Sequence, residues 1–147
     1  MKYLNIAIVF LTLSAYGQNS IKMKTPENAK EKFAEFIAKE KFLPENYYPG
    51  IAVEKMRPIL TKKVNQSAVD FQKISESKNP TNKKYYEKIK IGLARFTDVS
   101  VELDTEDRER VCRYFEELMD IIELKSSNGQ LNKFMYGFDL DMLKEKN

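Results

Sequence analysis

Apolar residues in this chain recur mostly three or four positions apart, with charged residues between them, and that rhythm predicts helices. Thr25-Pro26-Glu27 offers a capping residue, a first-turn proline and an acid at the positive end of a helix dipole. Ala29, Phe33, Phe36 and Ile37 then share one face, and this helix is expected to end near Lys41, ahead of Leu43-Pro44. Residues 44–50 (PENYYPG) read as a loop, with Pro49-Gly50 suited to a type II turn. Pro58 can open a second long helix whose face carries Leu60, Val64, Ala68, Phe71 and Ile74 or Ser75. Residues 77–81 (SKNPT) break it, and Thr81 can cap the next.

A third helix is expected over about 82–97, with Tyr86, Ile89, Leu93 and Phe96 as its main stripe. Ile91 falls about 200° around from Ile89, so the helix is expected to be buried on two sides, near the centre of a bundle. Val99, Val101 and Leu103 alternate with polar residues over a stretch too short and isolated to pair, which predicts an extended linker. Asp104 then caps the best-marked helix, whose first turn holds Thr105, Glu106 and Asp107. Val111, Phe115, Leu118 and Ile122 form its apolar face, with Cys112 and Met119 beside them. Glu106–Arg110, Glu109–Arg113 and Arg113–Glu117 are four apart and read as a solvated outer surface. Residues 126–129 end it, and a last short helix carries Leu131, Phe134 and Met135. The expected fold is all-α: a single-domain bundle of four to five helices with a short extended linker over residues 25–143, after a short lead at 18–24. The tail at 144–147 is expected to fray.

The first residues follow another pattern. Lys2 precedes the apolar run 6–13 (IAIVFLTL), and Ala15 and Gly17 stand where a signal peptidase needs small residues. Residues 1–17 therefore read as a secretory signal peptide, too short in its apolar part to span a bilayer. Removing them leaves 130 residues beginning at Gln18, the size of one domain. No cysteine follows the apolar run, so a lipid anchor is not expected. No later segment approaches membrane-spanning length. The product is expected to be exported, periplasmic or secreted.

Charge is unevenly spread. Residues 18–90 hold 16 Lys and Arg against 9 Asp and Glu, a net of +7; residues 91–147 hold 8 against 13, a net of −5. Such halves can fold together and neutralise each other, or leave a polar interaction face. Nucleic acid is not the expected partner, because the lysines are scattered among glutamates and the compartment is wrong.

The available chemistry is narrow. There is no histidine, which excludes His-based triads, His metal sites and imidazole proton shuttles. Cys112 is the single cysteine, so it can form neither an internal disulfide nor a zinc site, and its place beside Val111 and Phe115 reads as a buried hydrophobe. Five glycines form no phosphate-cradling loop, and no cofactor is expected. Ser75-Glu76-Ser77-Lys78 matches S-x-x-K, but the companion motifs of the penicillin-binding enzymes are missing. Glu116, Glu117, Asp120 and Glu123 could supply a carboxylate pair for glycan hydrolysis, though nothing marks one of them as buried against an aromatic pocket. Asp139-Leu140-Asp141 falls short of a calcium loop, so no metal site is expected. The aromatic residues point to binding instead. Tyr47-Tyr48, Tyr85-Tyr86, Tyr114 and Tyr136 pair apolar area with a hydroxyl, as interfaces use them. Tyr47, Tyr48, Pro49 and Gly50, clustered in one loop, are the candidate binding residues.

Tyr48-Pro49-Gly50, Gly92-Leu93-Ala94-Arg95-Phe96 and the run from Asp104 to Asp139 together resemble an uncharacterised bacterial family labelled domain of unknown function 4844. The resemblance spans about residues 28–140 and implies a small exported helical domain, with no reaction, cofactor or catalytic residue to carry over. The leading functional reading is a non-enzymatic exported domain that binds a protein or envelope component. The alternatives are a periplasmic immunity protein that neutralises a toxin, and a peptidoglycan hydrolase using paired carboxylates.

Overall fold

A computed structural model of the chain describes residues 19–137, so the signal peptide, Asp139, Asp141 and the tail at 144–147 lie outside the described residues. Five helices follow in order: α1 (Ala29–Ala38), α2 (Arg57–Ser75), α3 (Asn82–Ala94), α4 (Thr105–Ile121) and α5 (Gln130–Tyr136). Short 3-10 turns at Glu54–Met56 and Thr97–Val99 complete them. Among the described residues there is no strand, only two isolated bridges. The fold is thus an all-α bundle.

The central helix is α2, which packs against α1, α3 and α4. Pro58 sits in its first turn, as its fixed φ favours. Leu60, Val64, Ser67, Ala68 and Phe71 are fully buried along it, and Ile74 and Ser75 are both buried at its end. Gly92 shows how close the helices come. A Cβ there would lie 2.5 Å from Ser67 Oγ and 2.7 Å from Phe115 Cζ, so only glycine lets α3 seat against α2 and α4.

Several local expectations are corrected by tertiary contacts. Thr25 does not cap α1; its hydroxyl donates to the Ser75 carbonyl at 2.9 Å, and the helix begins at Ala29. The lead is pinned to the α2–α3 turn by Met23 N–H to Pro80 C=O at 2.9 Å and Asn82 N–H to Ile21 C=O at 3.1 Å. In α3 Tyr85, tilted against Phe71 at 5.2 Å, is fully buried, while Tyr86 packs against the core only in part. Ile91 is 45% exposed, so α3 lies at the side of the bundle and α2 takes the centre. The segment after α3 coils instead of extending: Val99 N–H bonds Phe96 C=O at 3.2 Å and Glu102 N–H bonds Val99 C=O at 3.1 Å. Val99 and Leu103 are thereby buried while Val101 is left exposed.

The start of α4 follows its sequence closely. Asp104 accepts from Asp107 N–H at 2.8 Å and Asp107 accepts from Asp104 N–H at 3.4 Å, a reciprocal capping box. Its end comes earlier than residues 126–129. Glu123 takes φ of 58°, Leu124 N–H reaches back to Met119 C=O at 2.9 Å, and Glu123 N–H bonds Asp120 C=O at 3.2 Å. These two bonds form a Schellman motif, with glutamate at the left-handed position that glycine usually fills.

The charge halves neutralise each other only in part. Lys39–Glu117 and Lys63–Asp98 join a base from the first half to an acid from the second, whereas Arg95–Asp70 and Arg110–Glu45 run the opposite way.

Candidate functional site

The loop between α1 and α2 is fastened at every few residues. It begins at Lys41, whose side chain is 1% exposed and donates to the carbonyls of Phe36 at 2.5 Å and Lys39 at 3.0 Å, closing the end of α1. Burial and the nearby Lys39 charge lower the Lys41 ammonium from 10.5 to about 8, with Glu117 pulling the other way. Phe42 follows with φ of 59°. A bulky residue there costs about 1–2 kcal/mol. Burial of its ring edge-on to Tyr114 at 5.1 Å offsets that cost, as do Phe42 N–H to Tyr114 Oη at 2.7 Å and Ile51 N–H to Phe42 C=O at 3.2 Å.

The turn itself lies at Asn46-Tyr47, not at Pro49-Gly50. Glu45 and Tyr48 exchange two backbone hydrogen bonds, of 3.0 and 2.9 Å, around these two residues, and Asn46 takes the positive φ of 51° that asparagine tolerates. Pro49-Gly50 closes no hydrogen-bonded turn, because Ile51 N–H goes to the Phe42 carbonyl and the Tyr48 carbonyl accepts from Glu45 N–H. Gly50 is still required: its φ is 85°, and a Cβ would lie 3.0 Å from Pro44 Cδ.

The two adjacent tyrosines have opposite fates. Tyr48 is buried, donates its hydroxyl to Asp107 Oδ1 at 2.7 Å, and lies under the Arg110 guanidinium, 4.7 Å from the ring centroid. Arg110 also pairs with Glu45 at 3.2 Å, so it holds both ends of the turn and is not the partner of Glu106. Burial, then the Asp107 acceptor, raises the pKa of the Tyr48 hydroxyl, so Tyr48 remains a neutral donor at ordinary pH. Asp107 is 3% exposed, and burial raises its pKa against the opposing hydrogen bonds from Tyr48 and the Asp104 backbone. Tyr47, at the tip, is fully exposed. Pro49 is exposed and Gly50 is buried.

Between this turn and the outer face of α4 lies an open groove of about 580 Å³, lined by Asn46, Tyr47 and Tyr48 on one side and by Glu109, Arg113, Glu116, Glu117 and Asp120 among others on the opposite side. The structure thus brings the candidate loop and three of the four candidate acids together. Glu123 stands apart at the C-terminal turn of α4. Glu116 pairs with Arg113, and Glu117 pairs with Lys39 rather than Arg113. The buried acid beside an aromatic ring is Asp107, and both its oxygens are committed to Tyr48 and the helix cap. A carboxylate held that way is a fastener rather than a proton donor to substrate. Asp107 was visible in the sequence only as a first-turn acid; its position three residues after Asp104 was the available signal.

The other candidates fall outside the groove. Cys112 is buried, its Sγ 3.7 Å from the Leu131 carbonyl, and burial first, then Glu116 and Glu109, pushes the thiol up to about 12. Ser75 is buried and donates to Gln72 C=O at 2.7 Å, while Lys78 is exposed in the turn beyond, so the S-x-x-K residues form no pair. Among the described residues no cluster of three or more potential metal ligands occurs, and no helix is long and apolar enough to cross a membrane.

A protein family described as a domain of unknown function (DUF4844) matches residues 24–139. The chain belongs to this family. Among solved structures it is similar to a DUF3571 family protein from Acinetobacter baumannii AYE, with 31% identity, a TM-score of 0.68, and coverage of 79% of this chain and 94% of that one. No curated protein matches. In this DUF4844 chain, the matched span contains the whole bundle from α1 to α5 together with the fastened loop.

Proposed function

We propose that this DUF4844 chain is an exported, non-enzymatic helical domain that binds a protein or envelope component through Tyr47 and the groove beside it. The observation that carries the reading is a fully exposed tyrosine at the tip of a turn tied down at Phe42, Glu45, Tyr48 and Gly50. A large ring with few rotamers, presented on an ordered turn, loses little entropy on binding. Tyr48 supports the display from below, and the rim charges of α4 would tune partner choice and encounter rate. Export rests on residues 1–17, whose pattern is that of a signal peptide.

The test is capture from envelope extract by tagged protein, compared with Tyr47→Ala. Truncating a central aromatic anchor is expected to weaken capture of the specific partner by about tenfold or more, with an unchanged melting temperature. Equal capture by the variant would overturn the reading. Release of soluble fragments from peptidoglycan, abolished by changing Glu116, Glu117 or Asp120 alone to Ala, would replace it with the hydrolase.

A further inference from the structure

Two open surfaces of opposite charge stand on opposite sides of the bundle. In the groove beside Tyr47, Glu106, Glu109, Glu116, Glu117 and Asp120 outnumber Arg110 and Arg113, a net of −3. A second groove, of about 660 Å³, runs along the outward face of α2, where Lys62, Lys73 and Arg95 outnumber Asp70, a net of +2. The two surfaces point apart because α2 and α4 turn their buried faces, Ser67 and Phe115, toward the same core.

Each surface keeps charge that the fold leaves open. Among the described residues, Lys62 and Lys73 have no ion-pair partner, and neither does Asp120. Glu116 shares Arg113 with Glu109. The relief is complementary as well. Tyr47 is a knob on the acidic rim. The basic groove offers Val69, 38% exposed, with Lys73 one turn beyond it and Lys62 two turns before it on the same helix. An aromatic ring set on Val69 meets apolar area below and an ammonium group at its edge.

We propose that the α2 groove of one copy receives Tyr47 of a second copy, with Lys62 and Lys73 set against Glu116 and Asp120. This rests on the reading of Tyr47 and its groove as a binding surface, and names their occupant. The two patches differ, so the contact is head-to-tail. Each copy in a pair keeps one free patch, and the contact repeats into a ring or an open chain.

Sedimentation of the chain from Gln18 onward, which contains every described helix, tests this. At low salt the average mass is expected to rise with concentration beyond a dimer, and to return to that of the monomer in about 0.5 M salt. Tyr47→Ala is expected to be monomeric. The charge variants Lys62→Glu/Lys73→Glu and Glu116→Lys/Asp120→Lys are each expected to be monomeric alone and to associate when mixed, because both contacts in the mixture again join opposite charges. Recovery on mixing also shows that both variants are folded. A wild-type chain that stays monomeric up to about 1 mM at low salt would overturn self-association. So would charge variants that each associate as the wild type does. Capture of an envelope partner by Tyr47 would survive either result, and loses its support only if Tyr47→Ala leaves that capture unchanged.

Discussion

Lys41 is buried with its ammonium on two carbonyls and no carboxylate bonded to it. A lysine closing a helix end satisfies acceptors, but the price is a desolvated charge. Its pKa falls from 10.5 to about 8 on folding, so between these values the unfolded chain binds more protons than the folded one. Stability from this group therefore rises with pH across that window, and below it the cost of the buried charge is fully present. Urea unfolding of the wild type and Lys41→Met is expected to show the wild type gaining stability relative to the variant from about pH 8 to 10.5. Titrating tyrosines and Cys112 are common to both chains and cancel in the difference. A difference that does not change with pH would mean that the ammonium is solvated.

At the scale of the elements, the two ends of α4 contrast. Its start uses the acids that capping favours at both positions, Asp104 and Asp107. Its end places Glu123 where a Cβ is strained. Glu123→Gly is expected to raise stability by about 0.5–1 kcal/mol, read as a higher urea midpoint at unchanged slope, since relief of strain exceeds the added chain entropy. Loss of stability would show that the Glu123 side chain has a role its geometry does not reveal. The same helix was legible in the sequence over most of its length, because capping and a 3–4 apolar period are local. Of its three expected charge pairs, Glu109–Arg113 forms and the other two do not. Arg110 turns to Glu45 and Glu117 to Lys39 because the neighbouring loop and α1 supply acids and bases at better positions than the next helical turn.

For the whole molecule, the basic first half and acidic second half pack together but leave their excess charge on opposite faces. The compartment can be checked directly. Mass spectrometry of the protein from its native host is expected to find Gln18, free or cyclised, as the first residue. Intact Met1 in the soluble cytoplasmic fraction would remove the export half of the proposal.

The sequence by itself determined the helical class, the cap of α4, the breaks between helices and most buried faces, since each depends on residues within one or two turns of each other. Phe33, Phe36, Leu60, Val64, Phe71, Ile89, Val111, Phe115 and Leu118 lie buried where their spacing put them. Only the tertiary structure decided that α2 is the centre, that the turn is at Asn46-Tyr47, and that Tyr48 is a support and Tyr47 the exposed tip. Those two tyrosines are chemically alike and adjacent. What separates them is Asp107, 59 positions away, whose buried carboxylate needs a donor that only one of the two rings can reach. No local pattern encodes a partner so distant; it is set when α4 and the loop are packed against the same core.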